Sequence, residues 1–245
     1  MLNTFTESDK LGDIVVKFPQ ASEIFKRHGI DFCCGGDQLL TEAVAEHSAN
    51  EGLILAELNQ SYTEAQAKGV QIIDWSSVPM QELIHHVVNT HHAYLQQTFP
   101  WLAERITKIL RVHGKNHSAL LSQVHRLFSS LRMDMDEHMI KEEEFVFPQI
   151  VEYENSPSLD KLEAVILAVQ ELDAEHDHTG DIVKELRKVT DNYALPEDAC
   201  GTFTRVYEEL QQLESDIFQH IHLENNVLFV HLLSERDRYT VAPAN

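Results

Sequence analysis

The chain has 245 residues, 40 acidic against 19 basic side chains, a formal net charge of −21, and 15 histidines. No apolar run reaches the roughly 18 residues a membrane span requires, and the N-terminus MLNTFTESDKLGD lacks the basic and apolar regions of a secretory signal. So negative a chain repels phosphate backbones and anionic lipid, which argues against nucleic acid and membrane surfaces as partners. Three cysteines, two of them adjacent, make no disulfide framework and suit a reducing cytoplasm. Histidine with Glu and Asp is a ligand set for metals such as iron and zinc, so the histidine excess points to a metal.

The nine glycines and seven prolines are few and cluster at boundaries, and the apolar pattern is helical almost throughout. Residues 10 to 60 read as short helices, one starting near Pro19 with Ala21, Ile24 and Phe25 on its apolar side. Gly29-Ile30-Asp31-Phe32-Cys33-Cys34-Gly35-Gly36 breaks the pattern, and Asp37 then serves as N-cap for a helix to about His47. A further helix runs from Glu51 to about Ala67, ending before Gly69. The expected division is a small helical domain over 1–70, a linker over 71–78, and a bundle over 79–245. Four long amphipathic helices are expected at about 79–113, 116–153, 158–191 and 196–235, with Pro100 kinking or interrupting the first. Short connections between such helices imply an all-α, up-down-up-down four-helix bundle.

Two segments of this bundle carry chemistry. His138 and Glu142 are four residues apart, as are His220 and Glu224, so each pair lies on one helix face, one turn apart. One such pair on an acidic helix is commonly a solvated face. Two pairs, each running into an apolar tail, are better explained as an imidazole and a carboxylate offered to one metal centre. In the run Glu142-Glu143-Glu144 only Glu142 is in phase with His138. On the third helix His176 follows Leu172 and Val169 on the core side, whereas His178 points to solvent. On the first helix the stripe Ile84, Val87, Val88, Leu95 leaves His91 and His92 both open, with periodicity narrowly favouring His91.

The motifs Asp31 to Gly36, His138 to Pro148, Glu175-His176-Asp177 and His220 to Phe229 together resemble the ScdA/YtfE family of iron–sulfur cluster repair proteins, with a hemerythrin-like domain. The resemblance spans residues 10 to 230. It implies metal ligands at His92, His138, Glu142, His176, His220 and Glu224, with Pro100 as the anchor that selects His92. It further implies two non-haem irons with an oxo or hydroxo bridge, and damaged iron–sulfur proteins as partners of a monomer or homodimer. Four imidazoles and two carboxylates fit such a centre, since structural zinc favours closed, Cys-rich tetrahedra. Asp173, Asp177, His86 and Tyr207 are candidates for orienting the imidazoles.

Cys33 and Cys34 stand before a helix N-terminus, where exposed sulfurs and a lowered thiol pKa are expected, suiting iron transfer or redox chemistry. Cys200 reads as a packing cysteine, and His28, His47, His113, His117, His125 and His231 as surface or capping residues. The expected function is repair of clusters damaged by nitrosative or oxidative stress. The competing readings are a hemerythrin-like carrier or sensor of O2 or NO, and a di-iron peroxidase or NO reductase.

Overall fold

The computed structural model describes residues 4–46, 51–70 and 73–241. His47 and linker positions 71 and 72 lie outside them. The described residues are helical with no strand: α1 Leu11–Lys17, α2 Ala21–Arg27, α3 Leu40–Glu46, α4 Glu51–Ala67, α5 Met80–Val87, α6 Ala93–Lys141, α7 Phe147–Asn155, α8 Leu159–Val189, α9 Gly201–Leu223 and α10 Phe229–Val241. Three π-turns, Val88–His92, Glu142–Val146 and Glu224–Leu228, continue these helices without a break. The chain forms two compact units, one of residues 1–83 with 218–245 and one of residues 84–217. Among the described residues no helix is long and apolar enough to cross a membrane.

In residues 84–217 the repeat of Leu and Ile every three or four positions draws helices together. Leu95, Phe99, Leu102, Ile106 and Ile109 are buried along the first half of α6, and Leu121, Val124, Phe128, Leu131 and Met135 along the second. Burying each such side chain contributes about 2 kcal/mol. α6 runs through His113-Gly114-Lys115, where the sequence suggests a loop, and leaves helical geometry at His117 (φ −125°, ψ 31°). The chain doubles back there. The rings of Phe99 and Phe128 are 6.1 Å apart, whereas a straight helix would separate them by about 40 Å. α6 is therefore two antiparallel arms. Pro100 sits within the first arm without ending it.

α8 runs antiparallel to the second arm, with His138 beside His176 and Asp134 beside His178. α9 runs antiparallel to the first, with His91 bonded to Asp216 and Tyr94 to Glu209. Four antiparallel helical runs make the up-down-up-down bundle that the spacing of long helices predicts. Beyond α8, Asp191, Asn192 and Tyr193 take successive positive φ angles of 50°, 55° and 60°. Tyr193 Oη donates to buried Glu214 Oε2 at 2.6 Å, and Arg187 pairs with the same carboxylate. That triad holds the strained turn.

In the other unit Phe5, Phe18 and Tyr62 form a ring cluster with centroids 5.3 to 6.4 Å apart. Asn59 Oδ1 caps it by accepting from the backbone N–H of Thr4 and Phe5. The expected helix from Asp37 is shorter, since α3 begins at Leu40. Asp37 instead binds Lys10 Nζ at 2.6 Å. Backbones close in around Gly12, whose N–H donates to the Gly36 carbonyl at 2.8 Å. A Cβ on Gly36 would collide with the Asn226 carboxamide, so glycine is required by a close approach.

Candidate metal centre

The π-turns explain which side chains face inward. An i→i+5 turn absorbs one extra residue, slipping the downstream face by about 100°, one residue's rotation. Upstream, Ile84 and Val87 share their face with His91. Downstream, Leu95, Phe99 and Leu102 share theirs with His92. The turn at 88–92 lets both frames end on the core, and both histidines are buried.

Within residues 84–217, His92, His138, Glu142 and His176 come together, each 2% exposed or less. The Glu142 carboxylate lies between two imidazoles: His92 Nε2 is 3.2 Å from Oε2 and His138 Nε2 is 3.2 Å from Oε1. His176 Nε2 approaches His138 Nε2 to 3.0 Å. A donor atom each from His138, Glu142 and His176 lies within 4.8 Å of the others.

The outer ring nitrogens are held. His92 Nδ1 donates to Glu143 at 2.8 Å and His138 Nδ1 to Glu175 at 2.9 Å. With Nδ1 protonated, Nε2 of each ring carries the lone pair, the tautomer a metal needs. Glu175 also accepts from Lys141 Nζ at 2.7 Å. The His138 bond first, then the Lys141 ammonium, outweigh partial burial and lower its pKa to about 2. His91 Nδ1 donates instead to Asp216 at 3.0 Å.

The expected orienting residues are thus corrected. Asp173 and Asp177 are exposed, Tyr207 packs against Phe203 and Tyr193, and His86 meets His91 edge-on. Glu143, Glu175 and Asp216 do the orienting. Glu143 was hidden in an acidic run where phase singles out only Glu142, and Glu175 was visible solely as the neighbour of His176. A cavity of about 260 Å³, lined by His138, Lys141, Glu175 and His178, lies on the outer, Glu175 side of His138.

In the other unit, His220 Nε2 is 3.1 Å from Glu224 Oε1, both fully buried. Burial lowers the pKa of neighbouring His222 to about 3. Asn226 Nδ2 faces the carbonyls of Phe32 at 3.2 Å and Cys33 at 3.0 Å. The Cys-Cys-Gly-Gly turn departs from expectation. Asp31 Oδ1 takes up the N–H groups of Cys33 and Cys34 at 3.1 and 3.0 Å, and Cys33 is buried. The hydrogen bond with Cys34 and burial, reinforced by Asp31, push its thiol pKa up rather than down. The two sulfurs are 3.8 Å apart as free thiols, and Cys34 is half-buried. Asp31, Cys33 and Cys34 form a second cluster with metal-ligand potential.

Buried carboxylates against buried imidazoles of fixed tautomer suit a cation, which would offset the cost of burying their charge. Residues 83–232 match the Hemerythrin HHE cation binding domain, and residues 7–62 match ScdA_N, a domain of unknown function. The chain is 33% identical over 226 residues to the iron–sulfur cluster repair protein ScdA of Staphylococcus epidermidis, covering 91% of this chain and 97% of that one. It is 33% identical to ScdA of Staphylococcus haemolyticus over 225 residues, at the same coverage. It is 31% identical over 224 residues to the iron–sulfur cluster repair protein YtfE of Salmonella newport, covering 91% and 96%. The chain belongs to the ScdA/YtfE family, in which an ScdA_N domain precedes a hemerythrin-type helical bundle.

Proposed function

We propose that this protein restores iron–sulfur clusters damaged by nitrosative or oxidative stress, using iron held by His92, His138, Glu142, His176, His220 and Glu224. In this reading residues 1–70 form the thiol-bearing domain, 71–78 the linker, and 79–245 the iron-holding bundle of a cytoplasmic monomer or homodimer. The observation that carries it is the Glu142 carboxylate, which offers one oxygen beside His92 and the other beside His138 at 3.2 Å each. A carboxylate so placed would offer either oxygen to iron held beside His92 and His138. Two non-haem irons with an oxo or hydroxo bridge would supply Lewis-acid and redox chemistry and the labile iron.

The chain's own residues supply the rest. Glu143 and Glu175 hold the imidazoles in the ligating tautomer. Glu142 and Glu224 would be the carboxylates that hold the iron and from which it would be given up. Cys34 is the more reachable sulfur of the pair to receive iron or dock a client, with Cys33 protonated behind it. Iron–sulfur proteins are the clients, and an acidic chain of net charge −21 suits basic patches on them.

The test begins with elemental analysis of untagged protein, for which two irons per chain are expected. The loaded protein should then reactivate an iron–sulfur enzyme inactivated by nitric oxide. Cys33→Ser with Cys34→Ser should keep the iron and lose delivery. One zinc per chain, or no metal after iron reconstitution, overturns the reading. The cavity at His138 favours one alternative, a hemerythrin-like site for O2, NO or peroxide. Reversible ligand binding without iron loss, or many product equivalents per chain, would establish it instead.

A further inference from the structure

Away from these donors, the reversal of α6 gathers another set of reactive side chains. His113 and His117 lie one turn apart there, and the loop between α8 and α9 carries Asp198 and Cys200. Cys200 Sγ is 3.2 Å from His113 Nε2. His117 Nε2 is 2.7 Å from Asp198 Oδ1, and Asn116 Nδ2 donates to Asp198 Oδ2 at 3.1 Å. Both imidazoles stand edge-on to the buried Phe203 ring, with centroids 5.3 and 6.4 Å away. The loop is thus pinned to α6 at two points, and the His113 ring is held against the sulfur.

Cys200 is exposed and immediately precedes α9, so it is not the packing cysteine its helical context suggests. Its pKa falls to about 7, through the His113 hydrogen bond first and the Phe203 backbone N–H next, against slight burial. An imidazole partner and helix N-terminal N–H groups are the surroundings that stabilise a thiolate. Cys33, in the motif that draws attention, is shifted the opposite way.

We propose that Cys200 is a nucleophilic thiolate, paired with His113, that exchanges with low-molecular-weight disulfides and carries the resulting mixed disulfide. The Cys200 proton passes to His113 Nε2, and the sulfur attacks one sulfur of the disulfide. One S–S bond forms as the other breaks, and the expelled thiolate recovers the proton. Thiol plus disulfide gives mixed disulfide plus thiol, with no other oxidant, and excess thiol reverses it. A thiol titrating near ambient pH is the best attacker, because a lower pKa weakens nucleophilicity while a higher one starves the thiolate. Cys200 is not one of the six proposed metal ligands, so the exchange does not depend on the iron reading.

The experiment incubates full-length protein with oxidised glutathione and follows each cysteine by peptide mapping, across pH 6 to pH 9. Cys200 should be modified before Cys33 and Cys34. His113→Gln, at a half-buried position outside the helical core, should leave the circular dichroism spectrum unchanged. It should slow the reaction of Cys200 about threefold at pH 7 and about sixfold at pH 6, moving the pH–rate profile towards that of an ordinary thiol. Cys200→Ser should abolish modification of that peptide. Modification of Cys33 or Cys34 first, or an unchanged rate and pH profile in the folded His113→Gln protein, overturns the proposal.

Discussion

His91 and His92 are neighbours, both buried and both hydrogen-bonded through Nδ1, but they hold different carboxylates. His92 turns its remaining nitrogen towards Glu142, while His91 serves Asp216 on α9. His92→Ala should therefore lower the bound iron, measured by elemental analysis. His91→Ala should keep the iron and cost about 1–3 kcal/mol in denaturant unfolding, because it strands the Asp216 carboxylate. Iron loss in His91→Ala alone would reverse the assignment. A regular 3.6-residue period favours His91, whereas it is His92 that turns to Glu142, since the extra residue of a π-turn leaves no mark in an apolar stripe. The core-facing placement of His138, Glu142 and His176 was legible from phase because no π-turn precedes them within their own helices.

Among the elements, the turn Glu224–Leu228 follows the His220–Glu224 pair and places Asn226 against the Cys33 loop. Gly36 is the point of closest approach. Gly36→Ala should destabilise the protein by about 1–3 kcal/mol, as overpacking does. Gly201→Ala, where an added Cβ meets nothing within 4 Å, should change stability by less than about 0.5 kcal/mol. Equal midpoints for the two variants in urea would refute the contact. The sequence suggested exposed sulfurs beside these glycines. What it could not reveal was Asn226, a residue 190 positions further on in the chain, which fills the space the glycines leave. Helix extents were clearer: α4 ends where Gly69 predicts, and α5 starts just after Pro79. The loop expected at 113–115 contracted to a single residue, His117, because hydrogen bonds on either side continue up to it.

For the whole molecule, the bundle class follows from long amphipathic stretches with few glycines and prolines, and the structure bears it out. A net charge of −21 acts on every unit of it. Like charges at this density repel in the compact state, and salt screens them over a Debye length of about 10 Å at 0.1 M. Raising sodium chloride from about 0.05 M to about 0.5 M should stabilise the protein by about 1 kcal/mol, an upward shift of about 2–4 °C in the thermal midpoint. A falling midpoint would mean that exposed pairs such as Lys10–Asp37 outweigh the general repulsion.

The three π-turns have a consequence for how this chain tolerates change. Each is one residue more than an α-helix needs, so a single-codon deletion inside Glu142–Val146 could be absorbed as a regular helix with every hydrogen bond remade. Such a deletant would fold, yet Phe147, Ile150 and Tyr153 would be turned by about 100° relative to His138. Gene variants that lose one codon at these turns should therefore be more damaging to the site than most substitutions.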